Sequence, residues 1–388
     1  MKIGTTPAER RLLLRLTALP TAAGREDAVI AFINEWIAAR RSTLAARRDD
    51  GGNILVTQRA RAKRRRPLLI TAHLDHPAFV LRRVVDERAI ELEFRGGVHE
   101  PYFKQAAIEV FAADGTRRSA VVTGRTKAKG AFPVYAARLA RPSAGVAPGD
   151  IARWRLPKAS IGGGLLRTNA CDDLAAAAAA LAVLDRLLKS GKAPHVGLLF
   201  TRAEEVGFIG ALHSIRSGLV PRRARLLCLE NSRSFPHDSP IGAGAILRVG
   251  DRASVFAPRL TNALSLLYSE AAKVDPSFRW QRKLMPGGAC ESTAFAAHGF
   301  ESTCLCLPLG NYHNMRDIDG VLRGQAKARV GQETIAIRDF AGLIAMLELA
   351  AMKLRDDDEG TGIPLPMLDR LYRRRAFVLR TKRPRTRR

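Results

Sequence analysis

Residues 196–211 read VGLLFTRAEEVGFIGA. The apolar run from Val196 to Phe200 is followed within a few residues by two neighbouring carboxylates, Glu204 and Glu205. Beyond them the chain turns apolar and glycine-rich again, so the pair does not sit on a polar face. A short apolar run bounded by turn residues suits a strand buried on both sides, the form that parallel sheets take. Three more runs end in the same way: residues 67–72 (PLLITA) before His73, Leu226 to Leu229 before Glu230, and Ser302 to Leu307 shortly before His313. Helical patterns fall at Asp173 to Ser190, closed by Gly191, at Gly210 to Ser217, at Asn262 to Lys273 and at Glu333 to Leu354. This alternation predicts an α/β fold, a mainly parallel sheet with helices on both faces. Ligands of such sheets bind beyond the carboxyl ends of the strands, where the His and acidic residues fall.

Working outward, Thr6-Pro7-Ala8-Glu9 is a capping box with proline at the first helical position, and Leu12, Leu13, Leu14 and Leu16 continue the helix. A second helix is predicted from about Glu26 to Arg41, and a turn at residues 49–53 leads into a strand at Ile54 to Thr57. Residues from Arg83 to Gly163 lack a helical stripe. They alternate, as in Ala89-Ile90-Glu91-Leu92-Glu93-Phe94, and carry turn signals at Asp114-Gly115 and near Pro148-Gly149. The organisation predicted is a catalytic α/β domain in two parts, 1–83 and 164–355, an inserted all-β, barrel-like domain at 84–163, and a basic, flexible tail at 356–388.

The chain has 388 residues and enough apolar content for a sizeable core. Its 26% charged and 46% apolar residues fit a globular rather than a disordered chain, and the apolar stretch Leu174 to Leu184 is too short to span a bilayer. No secretory leader is visible, and five scattered cysteines without a CxxC fit a reducing cytoplasm, the expected location. The net charge of +27 raises the question of a polyanionic partner. Six of the eight residues from Arg59 to Arg66 are basic, and Arg370 to Arg388 holds ten Lys or Arg. Few aromatics interleave with these runs, so they read as solvated segments capable of weak, non-specific polyanion contacts.

His73, Asp172, Glu205, Glu230 and His313 form a set of two imidazoles and three carboxylates. Such N/O donors suit Zn²⁺, with Co²⁺ or Mn²⁺ as alternatives. Two divalent ions, three carboxylates and one bridging hydroxide sum to neutrality, and hydroxide is the nucleophile of a two-metal hydrolase. Asp75, two residues beyond His73 in an extended chain, points the same way and can orient the His73 ring. Adjacent Glu204 and Glu205 point apart, so one can bind metal while the other serves the metal-bound water. Asp172-Asp173 also reads as a helix start, with Asp173 as its N-cap.

The stretches Thr71-Ala72-His73-Leu74-Asp75, Cys171-Asp172-Asp173, residues 201–211 and Asn311-Tyr312-His313-Asn314 resemble the M42 metallo-aminopeptidases of glutamyl aminopeptidase and TET type, within the wider group that includes M28 and M20 enzymes. The resemblance covers most of residues 7–345. It implies that Asp172 bridges the two metals, that the Asp172–Asp173 peptide is cis, that His73 and Glu230 complete one site and Glu205 and His313 the other, and that Glu204 is the general base. It also implies that Glu291, in the loop from Gly288 to Thr293, contacts the substrate amine. His76, Leu174, Asn311 and Glu230 depart from residues common in the family without removing a ligand type. The function so expected is a two-metal aminopeptidase acting on short peptides, assembled as a homo-oligomer. The alternatives are a metal-dependent deacylase of small N-acylated compounds and, in another class, an inactive hydrolase-like polyanion-binding protein.

Overall fold

The computed structural model describes residues 3–60, 65–112, 114–128, 130–356 and 365–380. Its centre is an eight-stranded sheet, in the order Leu44–Arg48, Ile54–Gln58, Val196–Thr201, Leu68–His73, Arg225–Arg233, Glu301–Leu309, Ala245–Gly250, Trp280–Leu284. The four middle strands, carrying the four runs read from the sequence, are mutually parallel, and the flanking pairs at 54–58 and 245–250 join them antiparallel.

Both faces of the sheet are covered, because successive strand residues point to opposite sides. Leu68, Ile70 and Ala72 join Leu198, Phe200, Leu227 and Leu305 in a core shared with helices Pro7–Leu16, Leu174–Ser190 and Ile337–Lys353. The alternate residues Leu69, Leu199, Leu226 and Cys304 face a second core with Ala211, Ala294 and Phe295, from helices Ile209–Arg216 and Glu291–Ala297. Ala175 to Ala180 are all fully buried. Small side chains there let helix Leu174–Ser190 lie close to the sheet beneath helix Ile337–Lys353, and Gly191, at φ 65°, caps its end.

The first helix keeps its capping box: the Glu9 amide donates to Thr6 Oγ1 (3.2 Å) and the Thr6 amide to Glu9 Oε2 (2.7 Å). The second spans Asp27–Ala38. One expected element is corrected. Glu333–Ala336 is a strand, and the helix starts at Ile337. β-branched Thr334 and Ile335 pair antiparallel with Arg167 and Leu166, which sets Glu333 opposite Thr168.

Between His73 and helix Leu174–Ser190 the chain builds a closed six-stranded barrel, in the order Ala78–Val84, Ala89–Arg95, Val134–Leu139, Arg117–Arg125, Ala107–Phe111, Ile151–Trp154. The first of these strands lies ahead of residue 84. The alternation read at 89–94 is that of the barrel wall, with Ile90, Leu92 and Phe94 inside. Phe79, Phe94, Phe103, Tyr135 and Trp154 fill the interior, Phe103 stacked on Tyr135 at 4.1 Å between centroids.

Some described residues of the basic segments make defined contacts. Residues 61–64 and 381–388 lie outside the described residues. Arg66 pairs with Glu301 (2.9 Å), and Arg65 and buried Arg225 both pair with Asp356. In the tail, Leu365–Arg375 is helical, where no ordering pattern was expected. Among the described residues no helix is long and apolar enough to cross a membrane.

Candidate metal centre

His73 ends its strand level with Thr201 of the neighbouring strand, and Cys228 lies opposite Thr71, so Glu230, two residues on, comes level with His73. In parallel strands level residues face the same side, which brings these two side chains together. Asp172 enters from the start of helix Leu174–Ser190 across a cis peptide to Asp173. Glu205 comes from a single 3₁₀ turn after Thr201, and His313 from another after Leu309.

Three groupings of donor atoms result, each with all members within 4.8 Å: His73, Asp172 and Glu230; Asp172, Glu205 and His313; and His73, Glu204 and Glu205. Asp172 belongs to the first two. Its Oδ1 lies 3.4 Å from His73 Nε2 and its Oδ2 3.6 Å from His313 Nε2, one oxygen towards each imidazole. Glu205 Oε1 lies 3.3 Å from His313 Nε2, and Glu204 Oε2 4.0 Å from His73 Nε2.

The electrostatics follow from this crowding. Burial alone would lower the pKa values of both imidazoles, but Glu204, Asp172 and Asp75 around His73, and Glu205 and Asp172 around His313, hold them well above the ordinary value. Burial would raise Asp172, yet the two imidazoles hold it below the usual carboxylate range. Glu204 and Glu230 are pushed well up, by burial first, with His73 opposing the rise and nearby carboxylates adding to it. A divalent cation held by such donors would compete with protons for them. Buried Asp172 Oδ1 and Glu205 Oε1 have no hydrogen-bond partner. Unsatisfied buried acceptors with this donor set fit divalent cations held by oxygen and imidazole nitrogen.

The surrounding residues aim the donors. Asp75 Oδ1 lies 3.4 Å from His73 Nδ1 and also accepts the Glu204 amide (3.0 Å), while Oδ2 accepts the Glu205 amide (3.0 Å). His313 Nδ1 donates to the Gly97 carbonyl at the barrel edge (2.6 Å), leaving Nε2 for the cluster. His76 bridges the Asp172 carbonyl (2.6 Å) and Asn314 Oδ1 (3.1 Å). The turn carrying the glutamates uses left-handed backbone at Ala203 and Phe208. It is pinned by Asn53, which accepts the Arg202 amide and donates to the Gly210 carbonyl. Gly210 is obligatory there, since a Cβ would lie 2.2 Å from the Arg202 carbonyl oxygen.

One site expectation changes. Asp173 occupies the N-cap position, but its side chain caps nothing and instead accepts from Asn231 Nδ2 (3.0 Å). Glu291 is 2% exposed and does not line the cavity beside His313. Burial pushes its carboxyl up to about 7, against the pull of His73. That cavity, of about 500 Å³, lies between the barrel edge at Gly97 to His99, the segment Met285 to Gly288, and Tyr312 and Met315. The role of one residue escaped sequence reading. Glu333 is fully buried and accepts from the amides of Cys171 (2.7 Å), Asp172 (3.1 Å) and His313 (2.8 Å). Burial pushes it up to about 7, against the pull of His76 and His313.

The family model described as M42 glutamyl aminopeptidase matches residues 140–323, a span holding Asp172, Glu204, Glu205, Glu230 and His313 but not His73. No curated protein matches the chain in sequence. Among solved structures, a TET aminopeptidase from a marine-sediment Thaumarchaeota archaeon is 18% identical, with 92% of this chain and 99% of that one covered and a TM-score of 0.74. An aminopeptidase from Desulfurococcus kamchatkensis is 20% identical (91% and 96% covered, TM-score 0.71). The TET1 peptidase of Pyrococcus horikoshii, described as assembling into a tetrahedron or a large octahedral shell, is 17% identical (89% and 99% covered, TM-score 0.68). These likenesses carry the fold, and the family match bears out the resemblance read from the motifs.

Proposed function

With a chain of M42 peptidase type as the premise, we propose a metal-dependent aminopeptidase that uses two divalent ions, Zn²⁺ first, to remove N-terminal residues from short peptides. The observation that carries this reading is the Asp172 carboxylate, with one oxygen towards His73 and the other towards His313. Asp172 would bridge the ions, with His73 and Glu230 completing one set and Glu205 and His313 the other. When bound, such ions supply a water of lowered pKa and polarise the carbonyl it attacks. Glu204 Oε2 takes the proton of the attacking water and returns it to the leaving amine, a task suited to a carboxyl whose pKa burial has raised. Asp75 keeps the His73 ring and both glutamates in register. The peptide occupies the cavity beside His313. The assembly proposed is a homo-oligomer, by analogy with the P. horikoshii TET1 peptidase.

Protein purified without chelator should carry about two divalent ions per chain and cleave aminoacyl-anilides in preference to acyl-amino acids. Chelation should abolish that turnover and Zn²⁺ or Co²⁺ restore it. Metal-free protein would sink the proposal, and a preference for acyl-amino acids would turn it towards a deacylase.

A further inference from the structure

The five donors are not held alike. His73 and Glu230 lie on strands of the central sheet, where the ladder of main-chain hydrogen bonds fixes them. Asp172 and His313 lie on none. Asp172 precedes a helix, and His313 sits in a short turn with left-handed backbone, φ 52°, between Asn311 and Asn314, which share that conformation. For a residue with a Cβ this conformation is costly and persists only where the surroundings enforce it.

We propose that Glu333 is the positioning residue that enforces it, fixing the spacing of Asp172 to His313 and so the metal position formed by Asp172, Glu205 and His313. One oxygen, Oε2, accepts the Cys171 and Asp172 amides, and the other, Oε1, accepts the His313 amide. A single carboxylate therefore ties together two segments far apart in sequence. It is itself anchored: Glu333 pairs with Thr168 in the three-stranded sheet, and Thr334 exchanges two main-chain hydrogen bonds with Gly310, just ahead of the His313 turn (2.9 and 3.1 Å). The chain between the two ends of this clamp leaves and returns at one point, where Asn314 and Gly331 are joined by their main chains (2.8 Å). Glu333 touches no donor atom of the cluster and acts only through the main chain of the residues that carry the donors.

Three N–H donors on two oxygens make the clamp sensitive to one atom. Glu333→Gln leaves a single acceptor. The arrangement keeping more bonds puts the amide oxygen on Cys171 and Asp172 and turns the NH₂ group against the His313 amide. The His313 end should open first, and the position built on His73 and Glu230 should be spared.

The inference rests on the two-metal reading. The test is Zn²⁺ titration of chelator-stripped, full-length protein against a chromophoric competitor, with thermal unfolding of the metal-free forms alongside. Wild type should show two sites. Glu333→Gln should keep one near its wild-type affinity and weaken the other roughly 10–100-fold, the usual weight of an outer partner of a metal ligand, while its metal-free form unfolds as wild type does. Two unchanged sites, or equal weakening of both, would overturn the inference and leave the two-metal reading standing. Wild-type protein that binds no Zn²⁺ would overturn both. Should Glu333→Gln fail to fold, Glu333→Asp is read the same way: it keeps both oxygens on a shorter arm, and selective weakening of one site is again the supporting result.

Discussion

The barrel and the carboxyl edge of the sheet are both densely buried, but they are ordered by opposite means. The barrel closes on Phe79, Phe94, Phe103, Tyr135 and Trp154 with aliphatic Ile108, Val110 and Val122 between them, and its order is that of packed apolar volume. At the sheet edge the buried groups are His73, Asp75, Asp172, Glu204, Glu230, Glu291, His313 and Glu333. Each such group costs free energy to bury unless a partner meets it. The partners are largely main-chain amides of the segments that carry the donors: Asp75 takes those of Glu204 and Glu205, Glu333 those of Asp172 and His313. An apolar core tolerates repacking at moderate cost, whereas a site whose acceptors are counted against specific donors depends on single atoms.

The sharpest break in that comparison comes at the adjacent glutamates. Glu205→Gln replaces a charged ligand by a neutral, weaker one, and both metal and activity should be lost. Glu204→Gln keeps the shape and can hydrogen-bond the attacking water but cannot take its proton. Metal content should survive while turnover falls roughly 10²–10⁴-fold. Metal analysis and turnover of both variants check this. Metal lost from Glu204→Gln and kept by Glu205→Gln would reverse the two roles.

A change of similar chemical size in the barrel should act elsewhere. Ile108 is fully buried, and Ile108→Ala should cost about 2–5 kcal/mol of stability through the cavity it leaves. At a temperature where the variant stays folded, turnover should match wild type within a few-fold. A large fall in turnover of folded protein would mean that barrel packing is transmitted to the site, for which the hydrogen bond from His313 to the Gly97 carbonyl is the available route.

The same contrast explains what the sequence made legible. Period-two alternation announces barrel strands, and buried apolar runs announce the four parallel strands, because burial acts on side chains that can be read in order. The donor set stood out for the same reason: ligand chemistry belongs to side-chain type. Three strands of the central sheet were not foreseen. Leu44–Arg48 and Trp280–Leu284 lie at the sheet edges, where Arg47, Arg48 and Arg282 need no burial, and Ala245–Gly250 carries buried Arg248 in the middle of an apolar run. Glu333 escaped because its partners are amide groups, identical at almost every position, and because Glu333 to Ala336 runs without a break into a strongly apolar helix.

The smallest effect is expected where neither kind of order operates. The cavity is lined by residues between Gly97 and Ile318, and no cluster of metal-capable donors among the described residues includes a residue beyond His313. Among the described residues, Asp356 at the start of the tail is tied to Arg65, Arg66 and Arg225. A chain ended after Arg375 keeps all of them. It loses Phe377, Val378 and Leu379, each more than half exposed, and with them six basic residues. Among the described residues, none of those removed lines the cavity or belongs to a metal-capable grouping, so turnover of a neutral dipeptide should stay near wild type. Light scattering at micromolar concentration should return the same mass above that of a monomer for both chains. A monomer mass for the full chain would remove the proposed homo-oligomer. A large fall in turnover of the folded, shortened chain would show that the tail helps build the site, and the division between packed, clamped and dispensable regions would then have to be redrawn.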